Sequence, residues 1–204
     1  MKTVIIDYGI GNILSLKRAI QKTEENIIVS DDLNIIDKAS HLILPGVGAF
    51  NAAILLLKKK NLYNYLKNLK EDKKILGICL GMQILFSNSD EGGILTEGLN
   101  LIEGSVRKIF VKNKKYKVPN VGWRKFYSYV NDPLLNNIPD SYYYFVHSYY
   151  INSKDVNSFL ISEIKYDHLF ISAIVKKNNI YGCQFHPEKS GDAGLKIINN
   201  FLKL

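Results

Sequence analysis

The chain has 204 residues, 47% hydrophobic and 23% charged, enough for one domain with a real core and an ordinary balance for a globular protein. Its net charge of +8, from 27 Lys and Arg against 19 Asp and Glu, sits in short scattered groups such as Lys58-Lys59-Lys60 and Lys112-Asn113-Lys114-Lys115. With no nucleic-acid-binding pattern around them these read as a solvated surface; no apolar run nears the ~20 residues of a membrane span, and two cysteines are too few for a disulfide framework.

The opening Met1-Lys2-Thr3-Val4-Ile5-Ile6-Asp7 turns polar too soon for a signal peptide, so a cytoplasmic protein is expected. Thr3 to Asp7 reads as a buried strand, Asn12 to Thr23 as a helix, Asn26 to Val29 and His41 to Leu44 as strands, and Phe50 to Lys60 as a helix. Ile75 to Ile78 makes a fourth strand and Met82 to Asn88 a helix. Continuous apolar strands separated by helices predict a doubly wound α/β fold, a mostly parallel sheet covered on both faces.

From about Leu99 the pattern turns β-rich. Strands are predicted over Gly104 to Phe110, Trp123 to Val130, Tyr142 to Ile151, Phe159 to Ile164 and Phe170 to Val175. A hairpin turn at Lys177-Asn178-Asn179 leads into Ile180 to His186. A last helix, Ala193 to Leu204, places Leu195, Ile198, Phe201 and Leu202 on one face. No linker, repeat or low-complexity tract interrupts the chain, so one domain, 1–204, with a β-rich insertion in its second half is expected.

Cys79 lies in Gly77-Ile78-Cys79-Leu80-Gly81-Met82-Gln83, between a strand and a helix. The flanking glycines permit the strained turn that exposes a nucleophile, and a helix N-terminus favours thiolate over thiol. The same turn aims the N–H of Leu80 at an oxyanion formed by attack. On this stretch alone a buried structural thiol is the better reading.

Gly182-Cys183-Gln184-Phe185-His186-Pro187-Glu188-Lys189 reverses that judgement. A thiolate attacking an amide needs an acid for the departing nitrogen, and histidine titrates in the right range. His186 and Glu188 are two apart, so in extended geometry they point the same way, and Glu188 can fix the tautomer of His186. Both stretches end predicted parallel strands, where such sheets place their sites. Cys183 faces away from His186 on a strand and has no glycine-flanked turn, so it reads as a core thiol.

Pro45-Gly46-Val47-Gly48-Ala49 is either an ordinary tight turn or a loop whose backbone supplies the second oxyanion donor. Neither it nor Gly9-Ile10-Gly11 completes a phosphate-binding pattern. His41 and His168 read as structural or solvated. No Cys/His spacing suggests a metal site, and no cofactor is expected. The run Ser141 to Tyr150 is apolar on both faces, which predicts an interior strand more than a base-stacking platform.

Together these stretches resemble the class I, triad-type glutamine amidotransferases, and within them the glutaminase branch of imidazole glycerol phosphate synthase. The resemblance runs through Asp7-Tyr8-Gly9-Ile10-Gly11-Asn12, Pro45 to Phe50, Gly77 to Gln83, Pro119-Asn120-Val121-Gly122-Trp123, Val146-His147-Ser148-Tyr149 and His186 to Ser190. Met82 narrows the branch, because the anthranilate and GMP synthase branches usually carry His there. The resemblance implies a flavodoxin-like sheet, with Cys79 as nucleophile, His186 as general acid and base, and Glu188 as its orienting partner. It implies an oxyanion hole lined by Gly46, Val47, Gly48 and Leu80, and L-glutamine held by Gln83 and the Ser148-Tyr149 backbone.

It further implies a heterodimer with a (β/α)₈-barrel cyclase that takes the released ammonia in histidine biosynthesis, with Asn12, Trp123, Tyr144 and Lys189 facing it. Such a barrel takes ~250 residues, more than this chain holds beyond one amidotransferase domain, so a separate polypeptide is expected. The family usually reads Gly-Trp-Asn, with His or Gln three before the Trp, where this chain has Gly122-Trp123-Arg124 preceded by Asn120. That departure keeps open a sister glutaminase that serves nucleotide-sugar amidation for surface glycans. Two readings of other kinds remain beside it: a flavodoxin-like binding module with a redox-sensitive Cys79, and a protease-like cysteine hydrolase.

Overall fold

Alternation along the early strands serves two cores at once. Val4 and Ile6, Leu42 and Leu44, and Ile75 pack into one apolar cluster, while Ile5, Ile43, Leu76 and Ile78 pack into another. Successive side chains of a strand point to opposite faces, so each of these strands is covered on both. The computed structural model describes residues 2–22 and 27–204. Thr23, the end of the expected first helix, and Asn26, the start of the expected second strand, lie outside them.

The first half runs β1 (Thr3–Ile6), α1 (Ile13–Gln21), β2 (Ile27–Ser30), α2 (Leu33–Asp37), β3 (His41–Leu44), α3 (Phe50–Lys59), α4 (Leu62–Lys67), β4 (Lys74–Ile78) and α5 (Leu80–Gln83). Helices α3 and α4 bury Phe50, Ala53, Leu57, Leu62 and Leu66 in the first cluster. The chain continues as β5 (Phe86–Ser89), β6 (Thr96–Glu97), β7 (Ile102–Lys108), β8 (Asn120–Arg124), β9 (Tyr127–Ser128), β10 (Tyr143–His147), β11 (Tyr149–Asn152), β12 (Leu160–Tyr166), β13 (Leu169–Lys177), β14 (Ile180–Cys183) and α6 (Gly191–Leu202). Helices α1 and α6 bury Leu16, Ile20, Ile197, Ile198 and Phe201 in the second cluster.

The main sheet has eight strands in the order β2-β1-β3-β4-β14-β13-β12-β9. Its first five are parallel, with β14 returning beside β4 in the register Cys183 to Ile78; β13, β12 and β9 extend it antiparallel. Two smaller sheets, β10-β8 and β11-β7-β5-β6, form the β-rich excursion. The doubly wound architecture is as the periodicity predicts, and β3 has the predicted bounds.

Four expectations need correction. The helix predicted over Met82 to Asn88 stops at Gln83, and Phe86 begins a strand beside Ile102. The cause is nonlocal: the N–H of Leu99 donates to the Ile84 carbonyl at 2.8 Å and that of Leu101 to the Leu85 carbonyl at 2.9 Å, taking the acceptors that a longer helix would use. Trp123 to Val130 and Tyr142 to Ile151 each divide into two strands, the latter at Ser148, so it is not one interior strand. The strand predicted over Ile180 to His186 ends at Cys183, and the chain bends on into the site. Helices α2 and α4 were not expected; both are short, and α2 is capped by Asp32, whose carboxylate accepts from the Asn34 N–H at 2.8 Å.

Phe185 follows β14 and joins the main sheet to the β10-β8 ribbon. Its ring lies 4.7 Å from Tyr143, 5.6 Å from Phe145 and 5.8 Å from Phe126, all centroid to centroid. Phe185→Ala is therefore expected to cost about 3–5 kcal/mol. At roughly 2–4 °C per kcal/mol for a chain of this size, the thermal midpoint falls by about 6–20 °C. Thermal denaturation followed by circular dichroism checks this, and a loss below about 3 °C would show that the ribbon docks without the cluster.

Candidate active site

Cys79 stands at the end of β4 with φ +54° and ψ −109°, a backbone conformation that a cysteine rarely adopts. Close packing requires the glycines around it. A Cβ on Gly77 would lie 2.6 Å from the Gly81 carbonyl oxygen, and one on Gly81 would collide with the Leu44 carbonyl. The N–H of Cys79 donates to the Cys183 carbonyl at 2.8 Å, tying the turn to the end of β14. Leu80, the first residue of α5, has an N–H with no partner inside the helix, pointing out of its N-terminus.

His186 and Glu188 are nearly excluded from solvent, and Nδ1 of the ring lies 2.9 Å from Glu188 Oε1. The expected pairing is present, but its geometry is not extended. Pro187 opens a single 3₁₀ turn, Pro187–Lys189, which curls the carboxylate back onto the ring. The ring's own backbone is held by β10, since the His186 N–H donates to the Tyr144 carbonyl at 2.9 Å. Ser190 Oγ donates to the His186 carbonyl at 2.7 Å and accepts from the Tyr144 N–H at 3.0 Å.

An ionised carboxylate only accepts, so Nδ1 carries a hydrogen and Nε2 is the reactive edge. Nε2 is buried and has no partner of hydrogen-bond geometry, although the Cys79 thiol acts on it as a close neighbour. Burial alone would lower the ring's proton affinity. Contact with Cys79, then the hydrogen bond to Glu188 and the negative charges of both, overturns burial and raises the pKa to about 9. A shift in this direction favours the imidazolium, with a proton on the edge that serves Cys79. Burial, followed by the charges of Glu188 and Cys79, pushes the Cys183 thiol well up, so it keeps its proton in the core.

Cys79 and His186 line one cavity of about 390 Å³, together with Val47, Gly48, Leu80, Gln83, His147, Ser148, Tyr149 and Lys189. Of the expected oxyanion residues, Gly46 does not line it. Gly46 packs against the elbow, where a Cβ would lie 2.7 Å from the Gly81 nitrogen and 2.8 Å from the Tyr8 hydroxyl. Tyr8 in turn donates to the Pro45 carbonyl at 2.7 Å. Gln83 Nε2 donates to the Tyr149 carbonyl at 3.1 Å and to Gln184 Oε1 at 3.1 Å. The Tyr149 carbonyl also receives His147 Nδ1 at 2.8 Å, so both its lone pairs are in use. The Tyr149 carbonyl is therefore not a free acceptor for a ligand.

Sequence reasoning assigned no role to three residues in or behind the wall of this cavity. Gln184 is fully buried, and its Nε2 points at Cys79 Sγ from 3.7 Å, a donor for a thiolate. Glu91 lines the cavity and accepts from the Phe50 N–H at the start of α3 at 2.7 Å. His147 is buried, with one edge on the cavity. Only the Gly92-Gly93 turn after Glu91 was a local signal; the rest depends on chain segments that meet in space.

Of the residues expected to face a partner, Trp123 is half exposed and meets Tyr144 edge-on at 5.8 Å between centroids, and the Lys189 ammonium lies 5.8 Å above the Tyr144 ring. Asn12 is exposed and caps α1, its side-chain oxygen accepting from the Ser15 N–H at 3.4 Å.

A family model described as glutamine amidotransferase class-I matches residues 4–204. The chain is 42% identical over 204 residues to "Imidazole glycerol phosphate synthase subunit HisH" of Geobacillus sp. (strain WCH70), covering 98% of this chain and 95% of that one. It is 43% identical over 202 residues to "Imidazole glycerol phosphate synthase subunit HisH 2" of Methanococcus maripaludis, covering 98% of each. Among solved structures, a glutamine amidotransferase superposes with a TM-score of 0.75 at 14% identity, over 98% of this chain and 97% of that one, a likeness of fold.

The proton affinity of His186 is directly measurable. Its ring resonances should titrate with a midpoint of about 9. In Glu188→Gln the midpoint should fall, because a negative charge that favours the protonated ring is lost. A midpoint that stays in place in that variant would show that Glu188 does not hold the proton.

Proposed function

The chain belongs to the class I glutamine amidotransferases, and on that premise we propose that it is the glutaminase subunit of an imidazole glycerol phosphate synthase. The observation that carries this reading is the convergence of Cys79, His186 and Glu188 at the ends of the adjacent parallel strands β4 and β14, over a cavity walled by Gln83 and Tyr149. In the proposed reaction the Cys79 thiolate attacks the side-chain amide carbon of L-glutamine. The tetrahedral oxyanion is met by the Leu80 N–H and by the Val47-Gly48 loop. His186 Nε2 gives its proton to the nitrogen as the carbon–nitrogen bond breaks, and ammonia leaves. Water then attacks the thioester, His186 takes its proton, and glutamate departs with the Cys79 thiolate restored.

Glu91 adds a carboxylate suited to the α-ammonium group of free glutamine, which a glutamine residue within a peptide lacks. That favours the amino acid as substrate over a protein. Ammonia released into neutral water becomes mostly ammonium, which is no nucleophile, so the product requires an acceptor site docked at the mouth of the cavity. The proposed partner is a (β/α)₈ cyclase bound as a heterodimer in the cytoplasm, meeting Asn12, Trp123, Tyr144 and Lys189. Trp123 and Val121, exposed by 50% and 51%, provide an apolar patch on the outer face of β8 for such a contact.

The feature that suggested a nucleotide-sugar acceptor no longer favours it. Arg124 shares the inward face of β8 with Asn120, and its Nε donates to Asn120 Oδ1 at 3.2 Å. The two departures from the family pattern are one another's partners.

With the partner cyclase present, an electrophilic glutamine analogue should form one adduct, on Cys79, retained in Cys183→Ala and absent in Cys79→Ala. An unlabelled wild-type complex under turnover, or an adduct on Cys183, would overturn the assignment. His186→Ala should lower glutamate release by at least ~10²-fold, as expected for a lost general acid and base.

A further inference from the structure

Arg124 begins a continuous line of hydrogen bonds that ends beside Cys79. Its Nε donates to Asn120 Oδ1 at 3.2 Å; Asn120 Nδ2 meets His147 Nε2 at 3.0 Å; His147 Nδ1 meets the Tyr149 carbonyl at 2.8 Å. The same carbonyl accepts from Gln83, whose amide also binds Gln184, and Gln184 donates toward Cys79 Sγ. The two ends fix every direction between them. A guanidinium only donates and a carbonyl only accepts, so Asn120 must turn its oxygen to Arg124 and its NH₂ to the ring, and His147 must carry its hydrogen on Nδ1. Asn120 and His147 are both buried, so a partner lost from either is costly to replace. The guanidinium is also clamped 5.2 Å above the ring of Tyr166, whose hydroxyl donates to the Lys117 carbonyl at 2.6 Å.

We propose that Arg124, Asn120 and His147 form a one-directional relay that positions the Tyr149 carbonyl and the Gln83 amide, and so sets how tightly the cavity holds its amide substrate. The inference rests on the glutaminase reading and deepens it. These three are positioning residues: none of them exchanges a proton with the reacting atoms. Burial first, and then the positive charges of His186 and Arg124, outweigh the hydrogen bond to Tyr149 and hold the His147 pKa down to about 4, so the ring stays neutral and can accept from Asn120. The relay also starts on β8, the strand that carries Trp123 on its other face, which links the cavity wall to the surface proposed for the partner.

The test uses the chain in complex with the cyclase and measures glutamate release. Arg124→Ala should raise KM for glutamine roughly ten-fold, the scale of a lost buried hydrogen-bond partner, with a much smaller change in kcat. Arg124→Lys, which still donates to Asn120, should recover most of the loss. His147→Gln should raise KM similarly, and the double variant Arg124→Ala/His147→Gln should be no worse than the poorer single one, because both break one line. Iodoacetamide alkylation of Cys79 should proceed at the wild-type rate in Arg124→Ala, which a collapsed site would not allow. Additive effects, a fall in kcat at unchanged KM, or Lys behaving as Ala would overturn the relay. Nitrogen-15 spectra of the wild-type ring separate the two ideas. A His147 ring found as the Nε2–H tautomer overturns the relay alone, whereas a wild-type complex that leaves glutamine intact overturns the glutaminase reading and the relay's role with it.

Discussion

The positive φ of Cys79 is the constraint on which the site depends. A residue held there costs on the order of 1–3 kcal/mol and persists only where its surroundings over-determine it. Here the ends of three strands converge on the turn. The loop after β3 brings Gly46 against Gly81, β4 contributes Gly77 beneath the same residue, and β14 receives the Cys79 N–H on the Cys183 carbonyl. Any side chain on those glycines would push the strand ends apart. The same closeness that strains the backbone brings Leu80, Val47 and His186 around one cavity.

Two histidines line that cavity, and their surroundings drive them in opposite directions. Both are buried, which favours the neutral ring, but only His186 has anionic neighbours to overcome it, and it rises to about 9. His147 has a carbonyl and an amide for company and two positive charges nearby, and it falls to about 4. The separation is self-reinforcing, since a charged His186 further discourages charge on His147. One ring is thereby suited to move a proton, and the other to accept a hydrogen bond and stay where it is.

Much of this was legible in the sequence because it depends on short-range pattern. The apolar run His41 to Leu44 read as a buried strand, and the glycine spacing around Cys79 together with His186 and Glu188 pointed to an elbow with a proton carrier. What escaped was decided by segments distant in sequence. The chain after Gln83 is as helix-compatible as it is strand-compatible until the Leu99 to Leu101 backbone takes the Ile84 and Leu85 carbonyls. Gln184 looked like one more strand residue, because nothing local shows that the strand ends at Cys183. Arg124 was only half legible for the same reason: its departure from the family pattern was visible, but its contact with Asn120 depends on which face of β8 turns inward.

That choice of face is what makes the β8-β10 ribbon consequential. The register pairs Tyr144 with Trp123 and His147 with Asn120, and a strand's period of two sends these pairs to opposite sides. On the inner side Tyr143 and Phe145 pack with Phe185 in the aromatic cluster, while His147 and Asn120 reach the cavity wall. On the outer side Trp123 and Val121 meet solvent. A one-residue slip would exchange the two sets, burying the tryptophan and exposing the histidine. The apolar cluster therefore fixes more than stability: by holding the register it keeps the surface a partner would press on and the wall that faces the substrate on opposite sides of the same two strands. The break at Ser148 completes the arrangement, ending the ribbon there so that Tyr149 begins a strand of another sheet and its carbonyl turns back to His147 and Gln83.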